Sequence, residues 1–302
     1  MTIPSDIAQT IIDPRAYADG KQVDDAFAWL RREAPLEQAQ PEGFDPFWVV
    51  TRHADILEVE RQNELFHNGD RSTILTTIEA DKKVREMMGG SPHLVRSLVQ
   101  MDNPDHMAYR RLTQGSFIPQ NLRALEARIR EIAVGFVDHM VAMDGRCDFA
   151  RDVAFLYPLH VVMEVIGVPE SDEPRMLKLT QELFGSADPE LNRTGEELTT
   201  TTAGVDTIQS VVMDFMTYFN AITEDRRANP RNDLASVIAN GKINGEPLGH
   251  LEAMSYYIIA ATAGHDTTSS TTAGALWALA ANPDQFAKVK ANPALIPGLV
   301  EE

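Results

Sequence analysis

The sequence has little of several features that define common protein classes. Cys147 is the only cysteine among 302 residues, which excludes an internal disulfide and a cysteine-rich zinc site. Nowhere do about eighteen uncharged apolar residues follow one another, and the start has no basic segment leading into an apolar run. These absences predict a cytoplasmic protein with no membrane partner.

Positive charge is also scarce. Lysine and arginine number 27 against 45 aspartates and glutamates, which gives a formal net charge of -18. The basic residues are not gathered into a run, so the surface does not favour nucleic acid or an anionic membrane. The net charge says little about whether the protein acts on a small molecule.

Strand signals are sparse, and most segments have helical periodicity, so the predicted class is mainly α. No shift in composition marks a boundary, and residues 1–302 are predicted to form a single domain. A small β-hairpin is expected to pair Phe47-Trp48-Val49-Val50-Thr51 with the stretch near Leu36, and a turn is expected at 243–246. Helices are predicted at 23–33, 53–63, 152–167, 173–185, 204–228 and 250–281, with another opened by Asn282-Pro283.

The helix predicted over 119–142 has one clear apolar stripe. Its apolar residues recur at spacings of three and four, which is typical of a face turned toward a core. We therefore expect a core helix that buries Leu122, Leu125, Ile129, Ile132, Phe136 and Met140.

The helix over 250–281 is interrupted by small and hydroxylated residues. Gly264 costs about 1 kcal/mol of helix stability relative to alanine. Thr267 or Thr268 can bond a carbonyl one turn back and so open the series of backbone hydrogen bonds, the helix ladder, at that point. One interpretation is close helix packing, which is the commoner use of small residues. The other is a site, because the carboxylate of Asp266 beside the hydroxyl of Thr267 makes a proton-delivery pair.

A resemblance favours the second interpretation. The run Ala263-Gly264-His265-Asp266-Thr267-Thr268 is similar to the oxygen-binding motif of cytochromes P-450: a small residue, glycine, any residue, an acid and threonine. The resemblance implies that Ala263 and Gly264 line a groove for dioxygen, that Thr267 hydrogen-bonds the oxygen as it is reduced, and that Asp266 relays protons. His265 occupies a variable position and is predicted to pack or to contact water.

The same resemblance implies which residues meet the substrate. Ile259, Ala263 and Thr267 are four residues apart, so they share the helix face that would be turned to the haem. Ile259 and Ala263 are the expected substrate contacts on that face.

A second motif lies in Met101 to Leu112, where Asn103 is predicted to cap and Pro104 to open a helix. His106 and Arg110 are then one turn apart, and two donors at a helix N-terminus can receive a carboxylate. A solvated basic face is the commoner explanation from the residues alone. The segment resembles the family helix whose histidine and arginine bind the propionates of haem b.

Within the superfamily, segments 157–169 and 262–270 look most like the α-terpineol hydroxylase branch of soluble bacterial enzymes. This implies a monooxygenase that hydroxylates a small hydrophobic substrate, a terpenoid or an alkyl-aromatic, with dioxygen. The substrate-contacting loops are expected at 70–100 and 180–205. Electrons would come from NAD(P)H through a ferredoxin reductase and a ferredoxin, which Arg110 and Arg111 could help to steer.

Two later motifs of the family, a Glu-x-x-Arg helix and the loop with the iron-ligating cysteine, are expected beyond this sequence. Glu302 would be the glutamate of the first, so the chain is interpreted as the N-terminal portion of the fold, truncated after its oxygen-binding helix. Cys147 is predicted to be a small packed residue and not the thiolate. The segment alone is therefore expected to be inactive.

Two alternatives stay open. The chain could be a non-catalytic helical remnant that binds a hydrophobic ligand or a partner. A haem protein with histidine ligation is the weaker alternative, because none of the eight histidines has a family position for that role.

Overall fold

The structure, a computed structural model, describes residues 2–18, 20–186, 188–195 and 202–301, without the side chains of residues 124, 202 and 203. The chain divides into two compact units. The first comprises Met1–Gly115 and Gln181–Ile259, and the second comprises Ser116–Thr180 and Ala260–Glu302. The single domain over 1–302 stays a prediction.

The described residues are mainly α-helical, as predicted. The helices before the middle of the chain are α1 Ser5–Thr10, α2 Pro14–Ala18, α3 Lys21–Glu33, α4 His53–Glu60, α5 Ile78–Met87, α6 Asp105–Gln114 and α7 Pro119–Ala142. Those that follow are α8 Leu156–Ile166, α9 Glu173–Phe184, α10 Thr202–Ala228, α11 Leu234–Ala239, α12 His250–Ala263, α13 Asp266–Ala281, α14 Pro283–Ala291 and α15 Ile296–Glu301.

Two short antiparallel hairpins make up the described β-structure; the first was predicted as a hairpin and the second only as a turn. Strand β1, Leu36–Ala39, pairs with β2, Phe47–Val50. Strand β3, Lys242–Ile243, pairs with β4, Glu246–Pro247. Asn244 and Gly245 make the tight turn between β3 and β4 with φ angles of 53° and 88°, as a two-residue hairpin loop requires.

An aromatic stack fixes the first ten residues of α12 within the first unit. The rings of Phe215 and Phe219 from α10 are stacked with centroids 6.3 Å apart, and Phe219 stacks on Tyr257 of α12 at 4.8 Å. The Tyr257 hydroxyl donates a 2.8 Å hydrogen bond to the carbonyl of Ala235 in α11. Burial of these rings contributes strongly to stability and sets the direction of α12.

Helix α8 is the central support of the second unit. Leu159, Met163 and Ile166 are fully buried, and α8 packs against both α7 and α13. A π-helical turn, Ala150–Ala154, precedes α8, and the Phe155 amide bonds the carbonyl of Ala150 five residues back at 2.9 Å. The predicted helix at 152–167 is thus a π turn followed by α8. Such turns are often found at functional sites.

Helix α7 has the predicted bounds, but its predicted burial is largely wrong. Only Ile132 is buried, while Leu122 is exposed and the other members of the stripe, Leu125, Ile129, Phe136 and Met140, are half-buried. The helix packs on α8 and most of its residues are exposed, so it lies at the surface of the second unit.

Other local predictions need correction. Helix α6 begins at Asp105 with Pro104 at its N-cap, after a cis Asn103–Pro104 peptide, so Asn103 does not cap it. Cys147 is exposed and not packed as predicted, and it lies in the loop after α7, beyond a turn in which Asp144 and Gly145 have positive φ.

At the chain's last helices, Pro283 opens α14 as predicted, while the side-chain amide of Asn282 donates back to the Ala278 carbonyl. Helix α15 includes Leu299 to Glu301, and Glu302 lies outside the described residues. In the described part of the chain, no helix is long and apolar enough to cross a membrane.

Candidate active site

The predicted helix over 250–281 is broken at Gly264 and His265, between α12 and α13. The His265 amide bonds the Thr262 carbonyl at 3.2 Å, a step of three residues instead of four. The Thr267 hydroxyl donates to the Ala263 carbonyl at 2.9 Å, one turn back. The predicted opening of the ladder by Thr267 is confirmed. A threonine hydroxyl that bonds a backbone carbonyl competes with the helix's own hydrogen bonds, and this competition explains the break.

One face of this break carries the residues expected to do chemistry. Ala263 and Thr267 are exposed, and Ile259, one turn before Ala263 on α12, is half-buried. Asp266 is half-buried at the first position of α13, beside Thr267. The Thr267 hydroxyl donates its hydrogen bond to the Ala263 carbonyl, so its oxygen can still accept a hydrogen bond from another group. An alcohol and a carboxylate at one helix start can transfer protons to a bound reactant.

The opposite face of the break is buried against α8. A Cβ atom at Gly264 would lie 2.9 Å from Cγ2 of Val162, so a side chain there would force Val162 or the backbone to shift. His265 is 1% exposed, and its Nε2 lies 2.9 Å from the Phe155 carbonyl oxygen. The prediction that His265 packs is confirmed. The role of the Gly264 backbone toward oxygen stays a prediction.

The ring of His265 is neutral. Burial lowers its pKa from the ordinary value, and the bond to the Phe155 carbonyl and the charge of Asp266 oppose that effect less strongly. Because a carbonyl only accepts, Nε2 carries the proton and Nδ1 carries the lone pair. Nδ1 is buried with no hydrogen-bond partner among the described residues.

The other predicted pair lies on α6 in the first unit. His106 is half-buried and Arg110 is exposed, one turn apart on one face. Within the described chain, neither side chain makes a hydrogen bond or a salt bridge. Arg96, in contrast, is bound by Glu252 at 2.9 Å and by Asp105. In a protein with a net charge of -18, two unpaired donors side by side suit an anionic ligand.

A buried tyrosine that the sequence analysis did not assign holds α6 on α12. The Tyr256 hydroxyl lies 2.7 Å from the Thr113 hydroxyl and donates to the Tyr109 carbonyl at 3.2 Å. Burial raises the pKa of Tyr256, so the phenol keeps its proton. Tyr109 and Thr113 are the buried residues of α6, which leaves His106 and Arg110 on the outer face. The sequence did contain a signal for this role: a tyrosine lies within an apolar helix, and a buried hydroxyl needs a hydrogen-bond partner.

The first unit also contains a cavity of about 540 Å³ next to the N-terminus of α6. Its wall includes residues of the predicted substrate loop 70–100, among them Met88, His93 and Val95, together with Leu251 of α12. Burial lowers the pKa of His93, whose Nε2 lies 3.2 Å from the Gly69 carbonyl oxygen. Of the other predicted loop, 180–205, residues 187 and 196–201 lie outside the described residues.

Residues 76–294 match the sequence model of the cytochrome P-450 family. That match covers more than half of the chain, and the helical fold with small hairpins agrees with it. The chain belongs to the cytochrome P-450 family of haem-dependent monooxygenases, which are oxidoreductases.

The relatives include bacterial enzymes. The chain is 45% identical to cytochrome P-450-terp of a Pseudomonas species over 301 residues, covering all of this chain and 70% of that protein. The crystal structure of CYP108D1 from Novosphingobium aromaticivorans DSM12444 matches 99% of this chain and 70% of its own, with 41% identity and a TM-score of 0.86. Mycobacterium marinum CYP268A2, solved in complex with pseudoionone, is 28% identical with a TM-score of 0.80, covering 93% of this chain and 67% of that one.

The family implies a haem iron, and the residues present fit that group. Haem b is a flat apolar ring with two carboxylates, so it needs cationic donors at one edge and small or apolar side chains against its face. His106 and Arg110 are two such donors, and Ile259 and Ala263 are small or apolar residues on one helix face. Among the described residues, no cluster of three His, Cys, Asp or Glu side chains is built for a metal.

Proposed function

We propose that the protein hydroxylates a small hydrophobic substrate, a terpenoid or an alkyl-aromatic, with dioxygen at a haem iron. The observation that carries this proposal is the broken helix, where Thr267 bonds the Ala263 carbonyl and Asp266 stands beside it. The substrate class is supported by the names of two relatives, cytochrome P-450-terp and the pseudoionone complex of CYP268A2.

The chain's own residues have distinct roles in this proposal. His106 and Arg110 bind the two haem carboxylates, which fixes the cofactor to α6. Ile259 and Ala263 contact the substrate and exclude water from it, and the backbone at Ala263 and Gly264 leaves room for dioxygen. When bound, haem supplies the iron that activates dioxygen.

Proton delivery falls to Thr267 and Asp266. The Thr267 hydroxyl holds a proton at Oγ1 and can pass it on, since its present acceptor is an uncharged carbonyl. The half-buried carboxylate of Asp266 can exchange protons with solvent and restore the one that Thr267 gives up. Ordered delivery of this kind directs electrons into product instead of peroxide.

Electrons are proposed to come from NAD(P)H through a ferredoxin reductase and a ferredoxin in the cytoplasm. Arg110 and Arg111 on α6 are both exposed and could attract an acidic carrier. The test is the rate at which the ferredoxin reduces the haem protein, measured at increasing salt. The rate should fall, because attraction between exposed charges weakens as ionic strength increases.

Cys147 is exposed in the loop after α7 and is proposed not to be the cysteine that ligates the iron. Residues 1–302 loaded with haem should therefore give no reduced carbon-monoxide band near 450 nm, the thiolate signature from which the family takes its name. A band there would overturn this part of the proposal. A spectrum typical of histidine ligation would favour the histidine-ligated alternative.

The substrate class can be tested on the full-length haem protein. Titration with α-terpineol, pseudoionone, an alkylbenzene and a long-chain fatty acid should shift the Soret band for the compact or terpenoid compounds and not for the fatty acid. Product analysis with ferredoxin and its reductase should then show one added hydroxyl group. Binding of the fatty acid alone would contradict the substrate class, and binding of all ligands without turnover would favour the non-catalytic alternative.

A further inference from the structure

The helix break is seated on α8 by two adjacent residues. Gly264 lies against Val162, close enough that any side chain would collide, and His265 reaches the Phe155 carbonyl at 2.9 Å. Phe155 and Val162 are seven residues apart, which is close to two helical turns, so both contacts fall on one side of α8. The break is thus fixed from its buried side, while Ala263 and Thr267 are exposed on the other.

We propose that His265 is a positioning residue for the reaction: its bond from Nε2–H to the Phe155 carbonyl holds the break that sets Thr267 against Ala263. The inference rests on the proposed function, because it assigns Thr267 the proton-holding role. His265 acts through Thr267 and through backbone position, and it is not itself a proton donor to the reactant.

Three observations give the bond this weight. The ring is fully buried, so solvent cannot replace the bond if it is lost. Nδ1 has no partner in the described part of the chain, so Nε2 provides the polar anchor of the ring. The acceptor is also well fixed, because Phe155 lies between a π-helical turn and α8, in which Leu159, Met163 and Ile166 are fully buried. A buried bond between fixed groups restricts geometry more than a bond at the surface does.

The break needs such an anchor because its own backbone bonds are few. The His265 amide makes a three-residue step to Thr262, and α13 starts again at Asp266. Without the His265 contact, the last turn of α12, at 260–263, and the start of α13 could change their relative angle at Gly264, because glycine is conformationally flexible. The Thr267 hydroxyl and the Ala263 carbonyl lie on opposite sides of that hinge, so their 2.9 Å bond depends on the angle.

Three substitutions separate this role from simple packing. In His265→Gln, the side-chain amide can place an N–H near the position of Nε2. In His265→Leu, the volume is similar but the donor is gone. The matched control is His160→Leu, which removes a histidine bonded to Glu173 at 3.1 Å; His160 is on α8 but five residues from Phe155 and therefore on another side of that helix.

The experiment uses the haem-loaded full-length protein and measures peroxide formed per NAD(P)H consumed. We expect His265→Leu to release peroxide as Thr267→Ala does, the double variant to be no worse than Thr267→Ala, and His265→Gln to restore coupling. His160→Leu should lower the melting temperature without changing the peroxide fraction. A double variant whose effect is the sum of the two single effects would overturn the inference, because the residues would then act independently.

A second measurement does not depend on turnover. Hydrogen exchange of the amides at 262–270 should become faster by about five- to tenfold in His265→Leu, the change expected for loss of one buried hydrogen bond, and should stay close to the parent rate in His265→Gln. Unchanged exchange in His265→Leu would overturn the inference. If His265→Leu does not accumulate as folded protein, His265→Asn replaces it, since its shorter amide does not reach the Phe155 carbonyl.

The outcomes distinguish this inference from the proposed function. If Thr267→Ala uncouples the enzyme and His265→Leu does not, the role of His265 is wrong and the proposed function stands. If Thr267→Ala leaves coupling unchanged, the proposed role of Thr267 is wrong. The exchange rates then decide whether His265 holds the break.

Discussion

The hydroxyl of Thr267 and the carbonyl of Ala263 are joined by a 2.9 Å hydrogen bond that crosses the break between α12 and α13. The bond leaves an alcohol oxygen exposed at the start of α13, next to α12, whose residues 253–258 are buried. Its acceptor is the carbonyl of the last residue of α12, and its donor is the second residue of α13.

Replacement of Thr267 by alanine should uncouple the full-length enzyme. NAD(P)H consumption should continue while product falls and hydrogen peroxide rises, because the alcohol that holds the proton is lost. Thr267→Ser should retain most of the coupling. The control is Thr272→Ala, which removes the same kind of bond, from Thr272 to the Thr268 carbonyl at 2.7 Å, within α13 and away from the break. Equal coupling in Thr267→Ala and the parent would disprove the role of Thr267.

A methyl group at Gly264 should destabilise the protein. Gly264 lies in the break between α12 and α13, so the preference for alanine within a helix does not apply there. The new Cβ would lie 2.9 Å from Cγ2 of Val162, and overpacking costs about 1–3 kcal/mol. We therefore expect Gly264→Ala to lower the free energy of unfolding, measured by chemical denaturation, and Val162→Ala to restore part of it. Gly135→Ala in α7, where nothing lies within 4 Å, should not be destabilising.

Removal of the Tyr256 hydroxyl should loosen α6 from α12. Tyr256→Phe leaves the buried Thr113 hydroxyl and the Tyr109 carbonyl without this partner, so the free energy of unfolding should fall by about 1–3 kcal/mol. Tyr17→Phe is the control, since the Tyr17 hydroxyl also bonds a carbonyl, that of Ile11, but in a half-exposed side chain. If Tyr256→Phe lowers the free energy of unfolding no more than Tyr17→Phe does, the Tyr256 hydroxyl does not hold α6 to α12.

The donor pair on α6 should determine how firmly haem is kept. His106→Ala and Arg110→Ala should each speed the transfer of haem to apomyoglobin by about ten- to hundredfold, since a hydrogen bond to a charged group is worth about 1.5–3 kcal/mol. Arg111→Ala removes a neighbouring exposed charge and should leave the rate within about twofold, the effect of a weak surface interaction. Equal rates for all three variants would show that α6 does not hold the haem carboxylates.

The neutral state of His265 predicts how stability changes with pH. Burial lowers its pKa in the folded protein, despite the opposing charge of Asp266, so the unfolded chain takes up the proton first as pH falls through the ordinary value of 6.5. Stability supplied by the parent histidine is therefore complete above that value and declines below it, by up to about 1.4 kcal/mol per pH unit.

His265→Gln removes this titration. The difference in free energy of unfolding, parent minus variant, should decrease as the pH is lowered from about 7.5 to about 5.5, and the test is denaturant unfolding at several pH values. A difference that stays constant over this range would mean that His265 titrates alike in both states.

Local signals in the chain were sufficient for much of the architecture. An apolar stripe at spacings of three and four predicted α7 to the residue, and the residues at 243–246 predicted the turn between β3 and β4, because helix periodicity and turn chemistry are local. Burial was predicted less well, as the exposed Leu122 and Cys147 show. Whether an apolar residue is covered depends on which element packs over it, and periodicity alone does not contain that information.

The sequence by itself determined the family, the motif with Asp266 and Thr267, and the pair His106 and Arg110, since these are residue types at fixed spacings. Only the tertiary structure decided why Gly264 must lack a side chain, where His265 donates its proton, and which hydroxyl holds α6 to α12. Each of these depends on atoms that are distant in sequence, such as Val162, Phe155 and Tyr109. Contacts of that kind follow from how helices pack and cannot be read from the spacing within one of them.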